Sequence, residues 1–225
     1  MHQIVLETVT KNYIIGEQII SAVNNASLKI NRGEFISIVG HSGSGKTTLL
    51  SMIGGIVQPT SGKILCNGTD IYSLDSDGLS EYRSNRIGFM FQFASLLSIL
   101  SAKENLLLPG LFKAGKGSVD AKRAEEYLEI VGLKDKIEAY PSQLSGGQQR
   151  RVAIARAFMN DPEIILADEP TGDLDEETEA EIMSLFRKLN EEKKITFIFI
   201  THNLELAKYA QRQLRMTQGS VQEIH

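Results

Sequence analysis

A glycine-rich stretch at residues 40–47, GHSGSGKT, constrains the fold more than any other part of this sequence. It fits the pattern G-x-x-x-x-G-K-[S/T], follows the apolar run FISIV and precedes the helix-forming run TTLLSMIGGI. Glycines allow backbone N–H groups to turn inward around phosphate oxygens, and the N-terminus of the next helix adds partial positive charge. The stretch therefore predicts a strand–loop–helix unit that binds a phosphate chain.

Two side chains of this loop have specific expected roles. Lys46 would reach the β- and γ-phosphates of a nucleotide, and the Thr47 hydroxyl would ligate Mg²⁺. The nucleotide-binding set predicted from the motif is Gly40, His41, Ser42, Gly43, Ser44, Gly45, Lys46, Thr47 and Thr48.

Three nearly continuous hydrophobic runs are typical of central parallel strands that are covered on both faces. They are FISIV at 35–39, EIILA at 163–167 and ITFIFI at 195–200. Each is followed by polar residues, and ligands of open α/β sheets bind beyond the carboxyl ends of the strands. We therefore expect the loop and the residues that follow the other two strands to meet at one edge of a sheet.

Four side chains beyond the strand ends are candidates for the chemistry. Asp168 is expected to partner Mg²⁺, because a carboxylate after a buried strand is costly without a compensating cation or polar group. Glu169 is the candidate for polarising an attacking water, and His202 for donating to the γ-phosphate. Gln92, in FMFQF, would hold water or Mg²⁺ through its amide. Each residue alone is more typical of a structural role, and the shared edge favours function.

The charge balance and the apolar runs argue against several classes of protein. With 24 basic and 28 acidic residues the net charge is 24 − 28 = −4, so a broadly basic surface and a nucleic-acid partner are not expected. A single cysteine, Cys66, excludes an internal disulfide. The N-terminus has no secretory pattern, and the apolar runs fall short of the roughly 18 residues that span a bilayer. We expect this chain not to cross a membrane by itself.

Between Phe89 and Asp161 the sequence becomes helical in character. The segment SVDAKRAEEYLEIVGL has Ser118 as its expected N-cap and Gly132 as its stop. A second helix, QQRRVAIARAFMND, ends before Pro162. These segments predict a helical insertion within an α/β core.

A second glycine motif, LSGGQ, stands at the start of that second helix. Ser145 and Gln148 fit a capping box, which alone explains a helix start. Paired Gly146 and Gly147 before a free helix N-terminus also form an anion site. Because the loop at 40–47 already surrounds one phosphate chain, the second site suggests the nucleotide of another subunit.

These motifs, in this order and spacing, resemble the ATP-binding-cassette (ABC) ATPase family across essentially the whole chain. The resemblance implies an α/β fold: a P-loop NTPase core with a mainly parallel sheet, an antiparallel β subdomain near the N-terminus and an inserted α-helical subdomain. It implies a single domain over 1–225, with a nucleotide-binding lobe at 1–88 and 161–225 and a helical signature lobe at 89–160.

The resemblance also implies the ligands and the assembly. ATP and Mg²⁺ would be bound, with Tyr13 stacking on adenine. An ATP-dependent head-to-tail homodimer, or a pair with a related cassette, would sandwich each nucleotide between the phosphate loop of one chain and Ser145, Gly146, Gly147 and Gln148 of the other. Asp173 and Asp175 match the loop that crosses the dimer interface.

The ATPases of lipoprotein-release and macrolide-efflux systems, which work with a membrane permease, are similar in four further segments: IGFMFQFASLL, ENLLLPG, LSGGQQRRVAIARA and ADEPTGDLD. This implies a cytoplasmic protein, peripheral at the inner face of the cell membrane, with Gln92 and the FASLLSIL segment bordering a permease groove. Alternatives are a cell-division-type ATPase, a soluble DNA- or ribosome-associated ABC ATPase and a non-catalytic nucleotide sensor. His41 and Asp173 depart from the residues usual in this subgroup.

Overall fold

Two β-sheets and a group of helices are built from residues 2–112, 120–172 and 174–224, the residues that the computed structural model describes. The strands are β1 (His2–Ile15), β2 (Gln18–Asn31), β3 (Phe35–Val39), β4 (Ser61–Cys66), β5 (Thr69–Asp70), β6 (Ile87–Met90), β7 (Ile164–Asp168), β8 (Thr196–Thr201), β9 (Arg212–Thr217) and β10 (Ser220–Ile224). The helices are α1 (Lys46–Ile53), α2 (Ser76–Arg86), α3 (Ala102–Leu111), α4 (Ala121–Ile130), α5 (Gly146–Ala157), α6 (Glu176–Lys193) and α7 (Leu204–Ala207), with short 3-10 turns at Lys134–Lys136 and Pro141–Gln143.

The larger sheet has the strand order β10-β9-β3-β8-β7-β6. The strands from β9 to β6 are parallel, and β10 is an antiparallel edge strand. Every residue of β3, β7 and β8 is buried, as their unbroken hydrophobic sequences predict. The α/β fold with a mainly parallel sheet is confirmed.

The two faces of this sheet are covered by different layers. Phe35, Phe197 and Phe199 point to the side of the helical insertion and α6, where the Phe186 ring lies 4.6 Å from that of Phe197. The intervening isoleucines, such as Ile36, point to the side of α1 and the smaller sheet. Full burial of one such side chain contributes roughly 1.5–3 kcal/mol. Covering both faces is what requires apolar residues at consecutive strand positions.

The smaller sheet is antiparallel, with the order β2-β1-β4-β5, and confirms the antiparallel subdomain near the N-terminus. Its first two strands form a long hairpin, in which backbone pairing continues from Val9 through the polar residues up to Ile15. Four isoleucines at the hairpin tip are exposed: Ile14, Ile15, Ile19 and Ile20. Tyr13 lies inside β1 rather than at its end.

Helices α3, α4 and α5 form the insertion between β6 and β7. Met90 pairs with Ala167, so the sheet continues past residue 88 into the start of the insertion. The expected N-cap of α4, Ser118, lies outside the described residues. Asp120 caps this helix, since its Oδ1 accepts the Arg123 N–H at 3.0 Å and satisfies an N–H that has no partner within the helix.

Candidate nucleotide-binding site

The phosphate loop joins β3 to α1, and two of its glycines stand where a side chain has no room. A Cβ on Gly45, which has a φ of +100°, would lie 1.9 Å from the carbonyl oxygen of Ala22. A Cβ on Gly40 would lie 2.3 Å from the Met216 oxygen. Gly43 meets no such obstacle, but its φ of +77° is in the left-handed region. Close backbone contacts therefore require Gly40 and Gly45, whereas only the backbone conformation favours Gly43.

Lys46 is buried at the junction of this loop with α1. Its Nζ donates hydrogen bonds to the carbonyl oxygens of Gly40 at 2.8 Å and His41 at 2.9 Å. Ser44 is also buried, and its Oγ has no hydrogen-bond partner among the described residues. One ammonium group, one unpaired hydroxyl and the N-terminus of α1 are therefore concentrated in a single turn, which suits an anion.

Thr47 connects the loop to the end of β7. Its Oγ1 donates to Asp168 Oδ2 at 2.7 Å. Asp168 is buried, because it is the last residue of a strand that is covered on both faces. A hydroxyl and a carboxylate at this distance present hard oxygen ligands of the kind that Mg²⁺ prefers.

Glu169 follows Asp168 in the sequence. Its side chain lies at the opening of the site, next to His202. Its backbone has a φ of +48°, uncommon for a residue with a side chain, and its N–H donates to Ile200 O at 3.1 Å. The turn directs the carboxylate out of the sheet edge, where Oε1 lies 3.0 Å from His202 Nδ1. His202 itself is largely exposed, since 79% of its side chain is accessible.

An open cavity of about 590 Å³ joins these groups. The predicted residues that line it are Gly40, Ser42, Gly43, Gly45, Lys46, Thr47, Thr48, Gln92, Asp168, Glu169 and His202. His41, Ser44 and Tyr13 are not among the described residues that line it. The expectation that polar residues after different strands meet at one sheet edge is confirmed.

Arg150 also lines this cavity, and sequence reasoning missed it. It lies one turn into α5, and its guanidinium donates to the carbonyls of Phe91, Gln92 and Gly172. The only local signal is a basic residue in a helix that follows a glycine motif, which does not indicate the direction of the side chain. Glu179, in the first part of α6, also lines the cavity, and no sequence motif indicated this position.

Tyr13 lies in the hairpin of the smaller sheet, with 39% of its surface accessible. Its ring faces the Lys11 ammonium, which lies 5.2 Å from the ring centroid. The β1–β2 hairpin is not remote from the phosphate loop, because Gly45 approaches the carbonyl of Ala22 in β2. Tyr13 is thus an available aromatic surface on an element that contacts the loop.

The LSGGQ segment lies at a separate cavity of about 460 Å³. Ser145 caps α5 through a capping box, in which its Oγ accepts the Gln148 N–H at 3.3 Å and Gln148 Oε1 accepts the Ser145 N–H at 2.9 Å. Ser145, Gly147 and Gln148 line this cavity, whereas Gly146 does not. No residue lines both cavities among the parts of the chain that the structure describes. A single chain therefore keeps its two glycine motifs apart.

Comparison with known proteins identifies this arrangement. A model of the ABC transporter family matches residues 23–172, which include the phosphate loop, LSGGQ and the Asp168–Glu169 pair. The chain belongs to the ABC transporter family. It is an ATP-binding subunit of that family and an ATPase.

Relatives of this ABC ATPase match over nearly its whole length. The uncharacterized ABC transporter ATP-binding protein MJ0796 of Methanocaldococcus jannaschii is 46% identical over 221 residues, which cover 96% of this chain and 94% of the relative. The lipoprotein-releasing system ATP-binding protein LolD of Colwellia psychrerythraea is 40% identical, with coverage of 96% and 83%. The macrolide export ATP-binding/permease protein MacB of Syntrophobacter fumaroxidans is 42% identical, but the chain covers only 31% of it.

A solved structure of MJ0796 agrees in fold. It is described as a dimeric, post-hydrolysis state of the cassette bound to ADP and Pi, and it superposes with a TM-score of 0.92 at 44% identity. The match covers 98% of this chain and 97% of the other. No helix among the described residues of the present ABC ATPase is both long enough and apolar enough to span a membrane.

Proposed function

We propose that the loop at 40–47 holds the triphosphate of ATP and that Lys46 neutralises its β- and γ-phosphates. The hydrogen bonds of the Lys46 ammonium to Gly40 and His41 support this role, because they place a buried cation inside the loop that is to receive the anion. The unpartnered Ser44 hydroxyl supplies a further donor that a phosphate oxygen would satisfy.

Thr47, Asp168 and Gln92 are the proposed holders of Mg²⁺. The contact between the Thr47 hydroxyl and the Asp168 carboxylate supports this assignment, and Gln92 lines the same cavity. Bound Mg²⁺ neutralises the charge that develops on the transferred phosphoryl group. The chain holds these oxygen ligands in place at the start of α1, at the end of β7 and beyond the end of β6.

Glu169 and His202 are the proposed catalytic pair, together with Lys46. The Glu169 carboxylate orients the attacking water and accepts its proton. His202 lies within hydrogen-bond distance of that carboxylate and donates to the γ-phosphate, so it can sense whether the phosphate is present. The turn at Glu169, with its positive φ, supports the role because it aims the carboxylate into the cavity.

A second copy of the chain, or a related cassette, completes each site in the proposed assembly. Ser145, Gly146, Gly147 and Gln148 of one chain would bind the nucleotide held by the phosphate loop of the other, head to tail. The separation of the two cavities within one chain supports this arrangement. Tyr13 is the proposed platform for adenine, and the dimeric MJ0796 structure is a precedent for pairing.

The proposed partner of this pair is a separate membrane permease of the lipoprotein-release or macrolide-efflux type. MacB carries ATP-binding and permease functions in one protein of which this chain matches about a third. Exposed apolar side chains that lie close to Gln92 in the sequence support docking, among them Phe91, Phe93 and Ile99. The chain would then act in the cytoplasm at the inner face of the membrane, with ATP binding closing the pair and hydrolysis reopening it.

The observation that carries this proposal is the contact between Glu169 and His202 at the mouth of the cavity that Lys46, Thr47 and Asp168 line. We expect Glu169→Gln to bind ATP with ordinary affinity and to reduce turnover by about 100-fold or more, because the amide cannot accept the proton of water. With ATP and Mg²⁺ this variant should also elute as a dimer in size-exclusion chromatography.

Glu177→Gln is a matched control, since it removes the same charge from an exposed position in the first turn of α6. Its turnover should stay within about twofold of the parent chain. Unchanged ATP turnover in Glu169→Gln would show that Glu169 is not the base and would overturn the proposed mechanism.

A further inference from the structure

Arg150 joins two segments that both lead into the ATP cavity. Arg150 is only 8% exposed, and its guanidinium donates to the backbone carbonyls of Phe91 at 3.2 Å, of Gln92 and of Gly172 at 3.1 Å. The first segment follows β6 and the second follows β7. One side chain thereby sets the distance between them.

Each of the two segments carries a residue of the proposed chemistry. The first contains Gln92, which lines the cavity. The second is a turn in which the Gly172 N–H donates to the Glu169 carbonyl at 3.1 Å, so a shift of Gly172 moves the turn that holds Glu169. A guanidinium is planar and has donors at fixed angles, so it fixes this geometry better than a flexible ammonium.

Arg150 is also rigidly connected to the LSGGQ segment, which we call the signature. α5 begins at Gly146, directly after the Ser145 cap, and Arg150 follows within the same helix. A helix rises about 1.5 Å per residue and does not bend over so short a distance, so a rotation imposed at its N-terminus is carried to Arg150.

We propose that Arg150 is a positioning residue that couples the seating of the signature on a second chain's ATP to the placement of Gln92 and Glu169 in its own chain. The inference rests on the proposed function. In a head-to-tail pair it links the two ATP sites through one helix, since the signature acts at one site while the coupled residues act at the other.

Other arginines already fasten the helical insertion. Arg156 donates to the carbonyls of Ala94 and Ser95, both at 2.9 Å, and Arg123 pairs with Asp161. The bonds of Arg150 differ because they end on the two segments of the cavity. Arg123→Met is therefore a matched control: it removes a guanidinium from the same insertion without touching either segment.

The test compares Arg150→Met, Arg150→Lys and Arg123→Met by ATP turnover and by equilibrium binding of a non-hydrolysable ATP analogue with Mg²⁺. We expect Arg150→Met to lower kcat about tenfold while KM and affinity change by less than about twofold. Arg150→Lys should recover part of kcat, because an ammonium can satisfy some of the carbonyls. Arg123→Met should lower the Tm but keep kcat within about twofold of the parent chain.

A spectroscopic readout separates positioning from simple destabilisation. The chain has no tryptophan, so Phe93→Trp places a single reporter next to Gln92 at an exposed position. The analogue should change its emission in the otherwise unaltered chain and in Arg123→Met, and this change should be lost in Arg150→Met.

Two outcomes would overturn the inference: a kcat of Arg150→Met equal to that of Arg123→Met, or loss of equilibrium ATP binding in Arg150→Met, which would make Arg150 a nucleotide ligand. Glu169→Gln measured in parallel distinguishes the two proposals. If it abolishes turnover while Arg150→Met has none of the expected effects, only the coupling role fails. If Glu169→Gln turns over ATP normally, the proposed function fails.

Discussion

Gly45 is a residue at which the phosphate loop lies close to the smaller sheet. Its missing side chain allows the Ala22 carbonyl to approach, and its φ of +100° sets the N-cap of α1. The loop is therefore shaped by an element that precedes it in sequence as well as by its own glycines. The motif alone gives no indication of this second constraint.

We expect Gly45→Ala to abolish ATP binding, because a Cβ placed 1.9 Å from a backbone oxygen must displace either the loop or β2. Gly43→Ala is the internal control, since its Cβ has nothing within 4 Å and only the φ of +77° opposes it. A left-handed conformation costs an L-residue about 1–2 kcal/mol. Equilibrium binding of a fluorescent ATP analogue checks both variants, and equal affinities would contradict the steric explanation.

Much of the candidate site could be predicted from the sequence, because many of its residues belong to recognisable motifs. Lys46, Asp168 and Glu169 follow strands whose hydrophobic runs are unmistakable, so their common edge could be inferred from sheet topology alone. Arg150 could not be inferred, since the direction of its side chain depends on how α5 packs against the segments after β6 and β7. Roles assigned by analogy, such as Tyr13 on adenine, stay predictions.

At the scale of single elements, helix caps determine where the segments of the site begin. Asp175 caps α6, the helix that follows the turn of Glu169, and accepts the Thr178 N–H at 3.0 Å and its hydroxyl at 2.8 Å. These hydrogen bonds favour the charged form and lower the pKa of Asp175. The acidic residues of the first turn of α6 suit the positive end of the helix dipole.

The stabilisation that the Asp175 cap gives to α6 should depend on pH. A folded-state pKa below the unfolded one means that the stabilisation is fully present above the ordinary aspartate pKa of about 3.9 and is lost as pH falls through the folded value. We therefore expect Asp175→Ala to lower the Tm at pH 7, and the difference from the parent chain to shrink as pH falls below about 4.

Asp175→Asn serves as the control for this titration, because its amide oxygen still accepts from Thr178 but carries no charge. Thermal unfolding followed by circular dichroism across this pH range measures all three chains. If the Tm difference between the parent chain and Asp175→Ala stayed constant with pH, the stabilisation could not be assigned to the Asp175 carboxylate.

Element boundaries were harder to predict than the elements. The long hairpin of β1 and β2 continues through polar residues because strand pairing, rather than hydrophobic alternation, sustains it. Short β5 and the edge strand β10 lack a hydrophobic signal of their own and depend on neighbours for pairing. The N-cap of α4 was predicted at Ser118 instead of Asp120, because serine and aspartate are both favoured at this position and the two residues lie close together in the sequence.

At the scale of the whole molecule, the division of glycine motifs between two cavities is the main organising feature. The phosphate loop belongs to the layer around β3 and α1, and the signature belongs to the helical insertion. Within one chain they line no common cavity among the described residues. Function in the proposed assembly thus depends on how two chains meet.

We expect Ser145→Arg to leave ATP binding by a single chain largely intact while preventing the closed pair. A long cation at the start of α5 would occupy the space that the second chain's nucleotide needs, and it removes the cap. Size-exclusion chromatography with light scattering, in the Glu169→Gln background with ATP and Mg²⁺, should find monomers.

Ser73→Arg provides the comparison, because this exposed serine lines neither cavity. It should form dimers under the same conditions. If Ser145→Arg lost monomer ATP binding, the proposed division of labour between the two motifs would be wrong.

The division of the two glycine motifs between separate cavities also has a consequence for reaction order. When each ATP site is shared by two chains, turnover requires their encounter. At dilutions where most chains are alone, the rate per chain then rises in proportion to chain concentration, as mass action requires. An enzyme with a whole site in each chain would give a rate per chain that does not depend on dilution. A membrane permease that holds two cassettes side by side would supply this chain with a fixed local concentration of its own partner.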